Sequence, residues 1–116
     1  YTLIKDCLLS FLEALPSSRH KARFIMEKDV IHNVKGKPQL RRFFDMLTLF
    51  LEEALTYKTG GSIYLNAYAT ILKELGDKLP GLEANLLEVM SMRSEIEINI
   101  NAGLLLTHLV NVLCKE

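Results

Sequence analysis

The apolar residues at the start of the chain recur at intervals of three and four positions. They are Leu3, Ile4, Cys7, Leu8, Phe11, Leu12 and Leu15. This spacing places them on one face of an amphipathic α-helix. Pro16 predicts the end of that helix, because the residue before a proline avoids the α-helical region.

A second helix is predicted to begin after Ser17 or Ser18, because a serine hydroxyl accepts a hydrogen bond from an N–H group of the first helical turn. Its apolar positions are Ala22, Phe24, Ile25, Met26, Val30 and Ile31. The pattern stops between Asn33 and Gly36, where we expect the helix to end.

The third helix is predicted from Pro38 to Lys58, with the proline in the first turn, where its missing N–H has no partner to lose. It carries two apolar stripes. One is Leu40, Phe43, Phe44, Leu47, Leu51, Ala54 and Leu55; the other is Met46, Leu49, Phe50 and Tyr57. A helix that is apolar on two sides either lies centrally in the core or gives one side to a partner. We therefore expect it to be the most buried helix.

Three further helices are predicted. They span about Ser62–Lys78, Leu82–Ile98 and Asn101–Leu113, with Ser62 and Asn101 as the N-caps. The stretch from Glu95 to Ile100 alternates polar and apolar residues as a strand does. We favour a helix there, because a lone strand has no second strand to pair with. The fold class is therefore all-α, a compact bundle of about six helices in one domain, residues 1–116.

Composition and charge exclude several classes of protein. The chain has 116 residues and a formal net charge of zero, so no global field attracts nucleic acid or an anionic membrane. No apolar run reaches the length of a membrane span. The two cysteines, Cys7 and Cys114, are expected to be buried thiols in a cytoplasmic protein. The start at Tyr1, without an initiator methionine, suggests a domain excised from a longer chain.

No constellation for catalysis, a cofactor or a metal emerges from the sequence. The run Lys58-Thr59-Gly60-Gly61-Ser62 has its lysine before the glycines, unlike a Walker A loop, and is better explained as a helix end. His20, His32 and His108 lack the spacing of two metal ligands on one helix face. Glu52 and Glu53 are adjacent, so their side chains diverge on a helix. We expect a non-enzymatic fragment without metal or nucleotide.

Positive charge is concentrated between residues 19 and 42. The cations there are Arg19, Lys21, Arg23, Lys28, Lys35, Lys37, Arg41 and Arg42, against Glu27 and Asp29. Eight minus two gives +6, so the rest of the chain carries −6. We interpret this segment mainly as solvated surface, with a weak, salt-sensitive patch for DNA or an acidic partner as the alternative.

Two segments resemble bacterial DNA polymerase III delta prime subunits. The stretch from Phe43 to Gly61 is similar to a leucine-rich helix with a central aromatic that ends in a short Lys-x-Gly run. Asn99-Ile100-Asn101-Ala102 is similar to the family's Asn-x-Asn-Pro turn before a final Leu/Ala-rich helix, although Ala102 replaces the proline. Gly103 also departs from the family's larger residue. The resemblance covers roughly residues 40–113 and contains no catalytic motif.

The resemblance implies the C-terminal helical collar domain of a clamp loader, which places the sliding clamp on primed DNA. N-terminal ATPase-type domains would precede it, and the full-length protein would be a non-catalytic subunit of a nucleotidyltransferase complex. Its partners would be the delta and gamma/tau subunits, with DNA contacted only indirectly and no membrane involved. The gamma/tau collar domain is the nearest alternative. An autonomous helical adaptor unrelated to replication, which would bind a peptide helix in a groove, is a hypothesis of another class.

The surplus of apolar helix surface predicts an exposed interface with partner subunits. We expect it on the last two helices and on the second stripe of the third helix. The residues are Phe50, Tyr57, Met92, Ile96, Leu105 and His108. Asn99 and Asn101 are expected to form the turn that leads into the last helix.

Overall fold

The computed structural model describes residues 2–79, 81–98 and 101–114, without the side chain of Thr2. Within these ranges the chain forms helices and no strand, which confirms the predicted all-α bundle of about six helices. The helices are α1 Thr2–Ala14, α2 residues 19–33, α3 Lys37–Lys58, α4 Ala69–Lys78, α5 Leu82–Glu95 and α6 Ala102–Leu113. Short 3-10 turns, Asn66–Tyr68 and Ile96–Ile98, precede α4 and follow α5.

A π-helical turn, Met26–Val30, divides α2. The N–H of Ile31 donates to the carbonyl of Met26, five residues back, where an α-helix would bond four residues back. The buried side of α2 consists of Ala22, Met26 and Val30, and Val34 directly after the helix continues the row; none of the four has exposed surface. This four-residue spacing continues through the π turn, so one straight row of side chains faces the core.

Helix α3 lies at the centre of the bundle and packs against α1, α4 and α5. Leu47 and Leu51 are completely buried, as predicted for the core stripe. Phe50 of the second stripe is also buried, and its ring meets the Tyr68 ring edge to face at 5.3 Å between centroids. Only the outer members of this stripe, Leu49 and Tyr57, are exposed. The two apolar stripes are therefore explained mainly by the central position of α3 in the core, and less by a separate face for a partner.

The end of α3 is a Schellman motif. The N–H of Gly61 donates to the carbonyl of Thr56 and the N–H of Gly60 to that of Tyr57, at 2.8 and 3.1 Å. Gly60 has a φ of 87°, a left-handed conformation that glycine adopts without a steric cost. The glycine pair therefore ends a helix, as the sequence predicts.

The segment after Gly61 differs from the prediction. We expected a helix capped by Ser62, but helical structure begins only at Asn66. The reason is Glu53, whose Oε1 accepts hydrogen bonds from the N–H groups of Tyr64 and Leu65, at 2.6 and 2.8 Å. The first N–H groups of a helix have no partner inside it, and these two are the ones that a Ser62 cap would bond. The carboxyl group of α3 therefore replaces the serine as their acceptor. Glu53 is only 5% exposed, whereas its neighbour Glu52 is exposed.

Helix α4 approaches α3 closely at Gly76, which is buried. A Cβ atom at this position would lie 3.2 Å from the carbonyl oxygen of Ala54 and 3.4 Å from the Cβ of Lys58. Glycine therefore lets two backbones come together where a larger residue would push them apart.

Two of the three predicted polar caps are present. The Ser18 hydroxyl accepts from the N–H of Lys21 at 3.2 Å, and the Asn101 side chain accepts from the N–H of Leu104 at 3.1 Å. Residues 95–98 are helical, as favoured over a strand. Asn99, the other residue of the predicted turn, lies outside the described residues.

Candidate interaction surfaces

Four of the six predicted interface residues lie in the core. Phe50, Met92, Ile96 and Leu105 are between 1 and 4% exposed, so the prediction that they form an exposed patch was wrong. The cause is helix rotation, because successive residues point about 100° apart. Leu104 is 71% exposed whereas Leu105 is 2% exposed. Helix α6 has apolar residues on most sides, so the sequence pattern does not show which of two neighbouring leucines enters the core. Leu105 does, and Leu104 faces the solvent.

Tyr57 and His108, the other two predicted residues, are exposed. His108 lies four residues after Leu104, so the two occupy the same outward face of α6. Sequence reasoning missed Leu104, as well as Leu87 and Met90 on the outward face of α5, which are 68 and 48% exposed. Apolar side chains in contact with solvent on two adjacent helices are typical of protein-interaction surfaces.

The basic segment is only partly available to a partner. Arg23 donates to the side chain of Asn111 at 3.1 Å. Arg41 makes a two-pronged contact with Glu97, at 2.7 and 3.1 Å. Arg19 and Lys37 are half-buried, whereas Lys21, Lys28, Lys35 and Arg42 are exposed. The formal charge of +6 in this segment is therefore only partly available at the surface, because Glu97 and Asn111 from the end of the chain bind two of its arginines.

The contact between Arg41 and Glu97 belongs to a small ionic network. Arg93 approaches both Asp45 and Glu97, at 2.8 and 3.7 Å. These side chains join the end of α5 to the first half of α3. The hydrogen bond from Arg41 lowers the pKa of Glu97 below its ordinary value, and the charge of Arg93 acts in the same direction.

We predict that replacing Arg41 by methionine raises the pKa of Glu97 towards that of a free glutamate, because the main stabilising hydrogen bond is lost. A side-chain carboxyl titration by NMR measures this. A group whose pKa is lower in the folded state stabilises the fold above its unfolded pKa and loses that effect as the pH falls through the folded pKa. The variant should therefore lose less stability than the parent chain on acidification. An unchanged Glu97 titration would show that the ion pair does not form in solution.

Two neighbouring clefts lie on the outer side of α1. The larger, about 500 Å³, separates the end of α1 from α4, and Glu13, Tyr68 and Glu74 are among its lining residues. Glu74 is already paired with Lys78 at 2.8 Å. The second, about 400 Å³, lies towards α2 and shares Glu13 and Ser17 with the first. Neither lining combines a nucleophile with a histidine base.

The chemistry-bearing side chains are dispersed. In the described ranges, no group of three or more His, Cys, Asp or Glu side chains is placed to hold a metal ion. Cys7 and Cys114 are buried thiols, and burial raises the pKa of both. A raised pKa disfavours the thiolate and makes a cysteine a poorer nucleophile.

Two features of the described chain thus offer contacts to another molecule. They are the exposed apolar faces of the last two helices and the cations of the basic segment that are not engaged by other parts of the chain. None of the helices in the described ranges combines the length and the apolar character needed to cross a membrane. No family model, curated protein or solved structure matches this chain.

Proposed function

We propose that this chain is a protein-assembly domain that binds other subunits through the outward faces of its last two helices. The observation that carries this proposal is the exposure of Leu104 on α6 together with Leu87 on α5. Both helices already bury another face in the core. Large apolar side chains left in solvent on adjacent helices favour a protein partner over a small molecule or a nucleic acid.

We further propose that the assembly is the clamp loader of a bacterial DNA polymerase III holoenzyme, with this chain as the collar domain of the delta prime subunit. The support is the resemblance of residues 40–113, together with a helical fold suited to a collar. The partners would be the delta and gamma/tau subunits. DNA would be contacted only through the full complex, and the domain itself would catalyse nothing.

The test is the substitution Leu104→Glu in the full-length subunit. We expect loss of co-purification with the delta and gamma/tau subunits, because a charge would have to be buried in an apolar interface. Circular dichroism should show the helices intact, since the side chain is 71% exposed.

Tyr64→Glu is the control, because Tyr64 is 91% exposed in the loop before α4. This variant should assemble normally. Normal assembly of the Leu104→Glu variant, followed by normal assembly after Leu87→Glu, would eliminate the proposal.

A further inference from the structure

The outward ridge of α2 presents an aromatic side chain among cations. His20, Phe24, Lys28 and His32 follow at four-residue intervals on the side opposite the buried row. Phe24 is 57% exposed, although the sequence pattern placed it among the apolar residues of this helix. The other face of α2 is already buried in the core, and Phe24 is half exposed to solvent. Its ring is therefore available to anchor a contact with another molecule.

The local charge around Phe24 is positive. The first turn of α2 carries Arg19, His20 and Lys21 and no acidic residue. Cations at this end oppose the helix dipole, whose N-terminus is itself positive. In the described part of the chain, neither Lys21 nor Lys28 has a carboxylate within salt-bridge distance. The exposed Glu27 and Asp29 offset only two of the four Arg and Lys residues of α2, which are Arg19, Lys21, Arg23 and Lys28. The ridge therefore combines an apolar anchor with a net positive charge.

The outward face of α5 has the complementary character. Leu87 and Met90 are exposed, and the exposed carboxylates Glu83 and Glu88 flank Leu87. Leu87 and Glu88 also line a shallow depression of about 350 Å³. The arginine of this helix, Arg93, turns away to Asp45 on α3. The face is therefore apolar at its centre and acidic at its rim.

We propose that these two faces bind each other between copies of this chain, with the α2 ridge of one copy on the α5 face of the next. Phe24 would pack against Leu87 and Met90 while Lys21 and Lys28 meet Glu83 and Glu88. One copy leaves both faces exposed, because α2 packs on α1 and α6 through its other sides, whereas α5 packs on α3 and α6. The contact joins two different surfaces and is therefore head-to-tail. It does not depend on the clamp-loader assignment.

A second copy suits the α2 ridge better than nucleic acid does. Phe24 is the one phenylalanine, tyrosine or tryptophan on the ridge, whereas sequence-tolerant strand binding uses successive aromatic stacking platforms. The α5 face also requires an apolar cover, which a polyphosphate does not provide. Each partner contributes one helix face, so the contact is small and weak.

Sedimentation velocity of the 116-residue chain tests the proposal. At low salt, the weight-average sedimentation coefficient should rise with concentration, with a Kd on the order of 0.1 mM. It should rise much less at about 0.5 M salt, because the charges are then screened. Phe24→Ser and Leu87→Ser should each weaken self-association about tenfold or more. Tyr64→Ser, at an exposed aromatic of the loop, is the matched control and should associate like the parent chain.

Mixing the two variants distinguishes a head-to-tail contact from a symmetric one. The Phe24→Ser chain keeps its α5 face and the Leu87→Ser chain keeps its α2 ridge, so an equal mixture should form a heterodimer that neither variant forms alone. The charge reversals Lys21→Glu and Glu88→Lys provide a second pair with the same logic should either serine variant lose helix content.

Three outcomes would overturn the proposal. One is a parent chain that remains monomeric up to about 1 mM, well above the expected Kd. Another is a variant pair that does not complement on mixing. The third is a monomeric chain that binds a single-stranded oligonucleotide in a manner dependent on Phe24 and Lys21, which would assign the α2 ridge to nucleic acid.

Discussion

Replacing Leu47 by alanine should destabilise the fold by roughly 2–5 kcal/mol. Leu47 is completely buried on the helix that contacts α1, α4 and α5. The truncation removes apolar contacts and leaves a cavity that the surrounding helices fill only in part. At roughly 4 °C per kcal/mol for a chain of this size, the melting temperature should fall by roughly 8–20 °C. Thermal and urea denaturation followed by circular dichroism measure both quantities.

Leu49→Ala is the matched control, because it makes the same change on the same helix two residues away. Leu49 is 46% exposed, so less apolar surface is returned to water and no closed cavity forms. Its cost should be under about 1 kcal/mol. Equal melting temperatures for the two variants would refute the central position of α3.

Replacing Glu53 by alanine should cost roughly 2–3 kcal/mol. The N–H groups of Tyr64 and Leu65 both donate to Oε1 of this side chain, and the substitution leaves them without that acceptor. The loop between α3 and α4 should loosen first. Hydrogen exchange at the amides of Tyr64 and Leu65 should accelerate together with the loss of global stability.

Two variants check that the acceptor oxygen is responsible. Glu53→Gln keeps an oxygen at the same place and should lose less stability than the alanine variant. Glu52→Ala removes an exposed carboxyl one residue earlier and should have almost no effect on the loop amides. Protection of those amides that persists in Glu53→Ala would mean that another group holds the loop.

Helix positions and caps were predictable because they rest on neighbours in sequence. The interval pattern of α1, the serine before α2 and Asn101 before α6 each act within one helical turn. The start of α4 was not predictable in this way. It depends on Glu53, which lies 11 residues before Tyr64 and meets it only when α3 and the loop are folded together.

The choice of outward face could not be predicted for the same physical reason. On α6, nearly every position from Leu104 to Leu109 is apolar or neutral, so periodicity does not say which row enters the core. Packing decides it, and a shift of one residue exchanges Leu104 for Leu105. On α2, the π turn changes the rotation between the two parts of the helix. The pattern of apolar and polar residues gives no sign of this turn.

The π turn of α2 also bears on how this segment tolerates changes in length. Four residues of an α-helix overshoot a full turn by about 40°, so a row with this spacing winds around the axis. The wider turn at Met26–Val30 offsets that winding and keeps the buried row straight. Deleting one residue here would restore regular helical bonding. Residues 19–25 and 31–33 would keep nearly their present relative rotation, because the π turn already accommodates about one extra residue and the deletion removes it. A one-residue deletion in the regular first part of α2 has no such compensation, and it would rotate the residues before it by about 100° relative to those after it.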